Sequence, residues 1–204
     1  MTSGGRPWWA RLEERDGVLL RRLSADDAPA VLAVHGDPRV YVHDPHETHP
    51  DLAHTQVFIA PMVEHWARHG FGYWTVLVPD AWPGAVAGTQ AGDDGRSVAG
   101  LGGVQHHTVA GRPVLNVYFR FAPEAQGRGL AGAVLRQVGE LAPQVAPGCD
   151  VVVRTRPANA AARRVAERAG YVDEGLEPGT TDMQLLRWRP PGRGRVSPAG
   201  RSGA

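Results

Sequence analysis

The sequence predicts an α/β (α+β) domain, and three features predict it. Short runs in which apolar residues alternate have the period of strands, and stretches with apolar residues three and four apart have the period of helices. A glycine-rich turn joins one of each. Val114-Leu-Asn-Val-Tyr-Phe-Arg-Phe121 places Leu115, Val117, Phe119 and Phe121 on one strand face. After Ala122-Pro-Glu-Ala-Gln-Gly-Arg-Gly, residues Leu130, Val134, Leu135, Val138 and Leu141 recur at helical spacing.

Taken in order, residues 1–17 read as an N-terminal extension carrying the pair Trp8-Trp9, which is expected to dock on the body or a partner because two exposed indoles form a sticky patch. Val18 to Leu23 reads as a first strand. Ser24-Ala-Asp-Asp27 has the spacing of a capping box, Val31, Leu32 and His35 continue one helical face, and Gly36-Asp37-Pro38 stops that helix. Thr48 is placed to cap a second helix running to about His69, with Val57, Phe58, Met62 and Trp66 as its apolar side and a kink or break at Pro61. Gly70 to Val78 alternates as strand two. Residues 79–96, rich in Gly, Ala, Asp and Pro, exceed a hairpin loop and are expected to form a surface insertion. Ser97 to Gln105 is strand three, and Ala110-Gly-Arg-Pro113 turns it back into the strand that ends at Phe121. Val151 to Thr155 is a β-branched buried strand. A helix follows, with Asn159 where a cap belongs and Gly170 where a helix ends. A last strand covers about Thr181 to Arg187. The tail, 189–204, has four arginines and no acidic residue and is expected to be disordered.

Length and composition narrow the function classes. With 204 residues the chain suits one domain, 18–188, with ragged ends, and 42% hydrophobic content without a membrane-length apolar run predicts neither membrane insertion nor disorder. A net charge of +1 argues against a nucleic-acid surface. Cys149 is the single cysteine and has no internal disulfide partner; with no secretory signal pattern, a cytoplasmic location is expected. Between Tyr41 and Pro50 stand His43, His46 and His49 with Asp44 and Glu47, residue types that suit a metal. Pro45 and Pro50 break any rigid face that would present them together, so no metal is expected and the stretch reads as a solvated, substrate-facing loop.

The turn before Leu130 suits an anion. Gly127 and Gly129 let main chain approach a ligand, and the unpaired N–H groups of the first helical turn favour phosphate. A Walker loop requires Gly-Lys-Ser/Thr where Gly129-Leu130-Ala131 stands, and the dinucleotide fingerprint is only half present in Gly127-x-Gly129. Gln126-x-x-Gly129-x-Ala131 resembles the acyl-CoA pyrophosphate loop of the GNAT N-acetyltransferases. The resemblance is closest to the ribosomal-protein N-terminal acetyltransferase (RimJ/RimL-like) branch. It also rests on Leu20-Arg-Arg-Leu-Ser-Ala-Asp-Asp-Ala, on Trp66-x-x-x-Gly70-Phe-Gly-Tyr-Trp74, on Pro123-x-x-Gln126-Gly-Arg-Gly, and on Asn159-x-x-x-Arg-Arg-Val-x-Glu-Arg-x-Gly170-Tyr171. It implies a twisted, mixed, mostly antiparallel sheet of six to seven strands with about four helices.

That resemblance implies acetyl transfer from the thioester of acetyl-CoA, as co-substrate, to an amine by direct attack in a ternary complex. The acceptor would be a small molecule or a protein N-terminus, and the enzyme a monomer or homodimer. It assigns the pyrophosphate to the main chain of Gln126, Gly127, Arg128, Gly129, Leu130 and Ala131, the pantetheine arm to main chain around Phe119 and Phe121, and a further cofactor contact to Asn159. Where the branch often carries a glutamate base this sequence has Asn116, which cannot take a proton. Ala162 stands where a serine is often found, and Ala166 where other members place an acid tyrosine. Tyr118, Glu174 and His106, with the adjacent His107, are the replacement candidates, and Tyr41, His43, Trp66, Tyr73 and Trp74 are candidate walls of the acceptor site. The empty base position also leaves open a degenerate domain that binds acyl-CoA as a sensor or docking module without turnover.

Overall fold

The strand-like runs all join one sheet. The computed structural model describes residues 11–13, 17–82, 85–86, 89 and 95–189. Trp8-Trp9, the rest of 1–10, residues 14–16, parts of the expected insertion and the tail from 190 lie outside the described residues.

Among the described residues eight strands form the sheet, β1 (Arg11–Glu13), β2 (Leu19–Arg22), β3 (Tyr73–Pro79), β4 (Arg96–Val109), β5 (Arg112–Phe121), β6 (Asp150–Thr155), β7 (Tyr171–Leu176) and β8 (Gln184–Trp188), in the order β1-β2-β3-β4-β5-β6-β8-β7. Only β5 and β6 run parallel; every other neighbouring pair is antiparallel. Among the described residues four α-helices flank the sheet: α1 (Ala28–His35), α2 (Leu52–His69), α3 (Leu130–Val145) and α4 (Ala160–Arg168). This is the mixed, mostly antiparallel architecture expected. The sheet is wider than six or seven strands because Arg11–Glu13 pairs with β2 and because the chain after Gly170 forms β7.

Alternation along β5 sets the two faces of the sheet. Leu115, Val117 and Phe121 join Leu130, Val134, Leu135, Val138 and Leu141 of α3 in the larger core. A Cβ on Gly102 would lie 2.6 Å from Val134 Cγ2, so this glycine is what lets α3 press onto β4. On the opposite face, Ala28 and Val31 of α1 and Ile59 of α2 pack with Tyr73 and Leu101, and Tyr118 lies at their margin. Burying such side chains contributes roughly 1.5–3 kcal/mol each.

Local chemistry explains the helix ends, with two corrections to the sequence reading. The capping residue of α2 is Asp51, not Thr48: its Oδ1 accepts from His54 N–H at 2.8 Å. The helix runs through Pro61 without a break, since Pro61 faces solvent while Thr55, Ile59 and Trp66 bury the other side. Val57, expected on that apolar side, is 75% exposed, because positions 55, 59 and 66 define the buried stripe. Before α1, the buried Asp27 carboxylate accepts from Ser24 N–H at 2.9 Å, from Thr75 Oγ1 at 2.7 Å and from Arg21 Nη2 at 2.5 Å. One carboxylate thereby ties the start of α1 to β2 and β3. In the expected insertion, Trp82, Ala85 and Val86 pack on the main core, and Thr89 N–H and C=O lie in the bonding network of Val86 and Val98.

Candidate active site

The parallel pair β5–β6 parts before either strand ends. Its ladder runs from Val114–Asp150 to Val117–Val153, whereas β5 continues to Phe121 and pairs with β4 over its whole length. Among the described residues, the β6-side edge of Tyr118 to Phe121 therefore has no strand partner. An extended ligand can add to such an edge by main-chain hydrogen bonds.

At the end of that edge lies the glycine turn. Gly127 and Gly129 hold φ of +74° and +87°, the left-handed region that disfavours any side chain, and a Cβ on either would meet nothing within 4 Å. The turn is shaped by backbone conformation, not by packing. The first helical bond of α3 runs from Ala133 N–H to Gly129 O at 3.0 Å, which leaves the amides of Leu130, Ala131 and Gly132 directed out of the helix N-terminus. Residues Gln126 to Gly129 are exposed, whereas the Leu130 side chain is core. Gln126 Nε2 donates to Phe121 O at 3.1 Å and Arg128 Nε to Glu124 O at 3.0 Å, which fix the loop's shape. Asn159 caps α4, its Oδ1 accepting from Ala162 N–H at 3.1 Å.

On the other face of β5, Asn116, Tyr118 and Arg120 alternate toward α1 and α2. The Tyr73 and Tyr118 rings stack with centroids 5.4 Å apart. Arg120 Nε donates to the Tyr118 hydroxyl at 2.9 Å, its Nη1 donates to Val40 O at 2.5 Å, and its guanidinium lies 3.8 Å from the Tyr41 ring centroid. His35 Nδ1 lies 2.9 Å from the Tyr41 hydroxyl. Burial raises the pKa of Tyr41, Tyr73 and Tyr118, with Arg120 pulling Tyr118 the other way, so these phenols are donors at neutral pH. Burial, then His49 and Arg120, holds His35 well below the ordinary imidazole value. The cluster is thus a set of neutral donors around one guanidinium, suited to an oxygen or sulfur that gains negative charge. Asn116 Oδ1 is buried beside it with no hydrogen-bond partner.

Several expected positions land elsewhere. Trp74 is fully buried in the α3-side core, because it alternates with Tyr73 and the two cannot line one cleft. Trp66 is also core, its Nε1 donating to Tyr73 O at 2.6 Å. His43 is exposed in the loop before α2. Glu174 lies on the edge strand β7, its carboxylate held by Arg187 at 3.0 Å and Arg189 at 2.8 Å. His106 pairs with Leu115, three positions from the register of Tyr118, or about 10 Å at about 3.3 Å per residue. His106 and His107 both have their pKa lowered, by burial first. Sequence reasoning missed Arg120, which period-two alternation from Asn116 and Tyr118 identifies, and His35, whose place on an apolar helix face was its only signal.

The loop histidines separate rather than converge. His49 is buried, with Nδ1 2.9 Å from Thr55 Oγ1, and burial, aided by His54 and Arg120, lowers its pKa to about 4. In the unfolded chain a histidine takes its proton near about 6.5, so between those values the unfolded state binds more protons. Stability is therefore complete above about pH 6.5 and falls as pH drops toward 4, by about 3 kcal/mol for this group. We expect the urea midpoint of the wild type to fall steeply over that window and His49→Asn to flatten the fall; an unchanged slope would refute the assignment.

No helix among the described residues is long and apolar enough to cross a membrane. Residues 18–172 match the profile described as "Acetyltransferase (GNAT) domain". Among solved structures, the fold is similar to an acetyltransferase from Agrobacterium tumefaciens, with 21% identity, TM-score 0.65, and 88% of this chain and 94% of that one covered. It is also similar to RimL, a ribosomal α-N-protein acetyltransferase in complex with coenzyme A, at 14% identity and TM-score 0.58 over 83% and 92% of the two chains. A chimera of the Vibrio cholerae spermidine N-acetyltransferase SpeG gives 16% identity and TM-score 0.56 over 84% and 94%. At these identities the structural likenesses speak to fold alone. A comparison with curated protein sequences yields no match. The profile match spans most of the chain, and the protein belongs to the GNAT acetyltransferase family.

Proposed function

We propose that this chain is an acetyl-CoA-dependent N-acetyltransferase that moves an acetyl group to a primary amine by direct attack in a ternary complex. The observation that carries the reading is the exposed Gln126–Gly129 turn, with left-handed Gly127 and Gly129, opening α3 beside the unpaired edge of β5. In it the amides of the turn hold the pyrophosphate, with Arg128 near the phosphates, and the main chain around Phe119 and Phe121 pairs with the pantetheine. The Asn159 amide group, on the capping side chain, contacts the cofactor. The neutral amine attacks the carbonyl carbon, the C–S bond breaks, and the thiolate takes the Tyr118 proton. The extra proton of the amine passes to solvent, and solvent returns a proton to the Tyr118 phenolate, so the step balances.

The acceptor class follows from the absent base. Asn116 Oδ1 can accept an N–H but cannot remove a proton, so the amine must arrive neutral. Near pH 8 about half of an α-amine with a pKa of about 8 is neutral, against less than about 1% of a lysine amine at about 10.4. This favours an α-amino or similarly acidic acceptor, in keeping with the RimJ/RimL-like motifs, with Tyr41 and Tyr73 lining the site. The same absent base motivates a second reading, an acyl-CoA-binding module without turnover. A thiol-release assay with acetyl-CoA and a panel of N-terminal peptides, polyamines and small amines separates them. Turnover, fastest with α-amines, is expected; silence across the panel with intact acetyl-CoA binding would establish the module instead.

A further inference from the structure

His65 and His69 stand one turn apart at the end of α2, and His106 faces them from β4. One ring nitrogen from each lies within 4.8 Å of the other two. His65 Nε2 and His106 Nδ1 are 3.3 Å apart. In a tetrahedral site with metal–nitrogen bonds of about 2.05 Å the ligand atoms stand about 3.3 Å apart, so this pair already has the separation required. His69 and His106 are exposed side chains, free to make the remaining shift of about 1.5 Å.

Tautomer and donor set point the same way. His65 Nδ1 lies 2.8 Å from Phe71 O, so its N–H donates to that carbonyl and the lone pair is on Nε2, facing His106. A backbone carbonyl holding the far nitrogen is the usual outer support of a metal-binding imidazole. The Phe71 ring packs 5.1 Å from both His65 and His106, giving the two imidazoles a rigid apolar base. His106 N–H also lies 3.2 Å from His65 Nε2, a contact that coordination would exchange for a metal bond. Three neutral nitrogens without a carboxylate suit a borderline cation and not magnesium or calcium. Among the described residues this is the one group of three such side chains whose donor atoms converge.

We propose that His65, His69 and His106 form a three-histidine site for a borderline divalent cation, Zn(II) or Ni(II), completed by water. The sequence expectation of no metal was argued on His43, His46 and His49, which lie outside this group. The site joins the end of α2 to β4 next to Trp66, whose indole holds Tyr73 O, so the cation fastens the helix that backs the tyrosine cluster. It is independent of the acyltransferase reading, since binding is measured without either substrate.

The test uses tag-free, chelator-treated full chain. Calorimetric titration with Zn(II) is expected to give one equivalent, a raised melting temperature, and with Co(II) the intense visible bands of a four-coordinate centre. His69→Ala and His106→Ala should each weaken Zn(II) binding by at least about tenfold. The double variant His43→Ala/His46→Ala should bind as the wild type does. No saturable binding, or binding that survives both single substitutions, overturns the proposal. If either variant does not fold, Zn(II)-dependent shifts of the three imidazole NMR signals in wild-type protein decide instead: shifts in all three support the site, and their absence refutes it.

Discussion

Gly129→Asp is expected to weaken acetyl-CoA binding at least about thirtyfold while leaving the domain folded. The substitution has two physical consequences, and they fall on different measurements. At φ +87° a side chain costs roughly 1–2 kcal/mol of folding free energy, a loss that a domain stable by about 5–15 kcal/mol survives. No atom lies within 4 Å of the new Cβ, so packing adds nothing to that cost. Binding suffers more. A carboxylate about 5 Å from a diphosphate of about two charges is repelled by roughly 2–7 kcal/mol at an effective dielectric between about 80 and 20. Calorimetry with acetyl-CoA reads the loss, and thermal unfolding monitors the fold. Gly129→Ala serves as the comparison, sharing the backbone strain without the charge. Wild-type affinity in a folded Gly129→Asp protein would sink the placement of the pyrophosphate, and with it the reading of the turn.

That turn was legible because its signals are local: an alternating strand, two glycines and a helical repeat lie within about thirty residues. Asn159 was legible for the same reason, since a cap and its helix adjoin. What sequence reasoning lost was mostly long-range. Arg156 reaches Asp44 across 112 positions and His106 meets His65 across 41, and neither pairing has a periodicity to announce it. Some losses were avoidable. Tyr73 and Trp74 are neighbours on a strand and must face opposite ways, so only one of them could line the cleft. Strand β7 was missed because Asp173, Glu174 and Gly175 are poor strand formers, and Val172 and Leu176 are half-exposed at a sheet edge where burial does not select. His35 was placed on the right helix face, but its meaning depends on Tyr41 and Arg120, which only the fold brings to it.

Tyr118→Phe is expected to lower kcat about a hundredfold or more, within the range for loss of a general acid or base, with little change in KM for acetyl-CoA. The Tyr118 oxygen accepts from Arg120 Nε at 2.9 Å, and a guanidinium only donates, so the phenol's own proton is not committed to that bond. Arg120 then stabilises the phenolate formed when that proton goes to the departing thiolate, which is the reverse of what burial alone would do. Phenylalanine keeps the stack on Tyr73 and removes the hydroxyl, so this proton is lost together with the acceptor of Arg120 Nε. Tyr73→Phe is the control: its ring keeps the same stack, so it should change kcat by less than about tenfold. Unaided departure of a thiolate with a conjugate pKa of about 8.5 remains feasible, so Tyr118→Phe is expected to keep a residual turnover that rises between about pH 7 and 9 with the neutral fraction of the acceptor amine. Wild-type kcat in Tyr118→Phe, or equal losses in the two variants, would remove Tyr118 as the proton donor and leave the cluster a packing feature of the cleft.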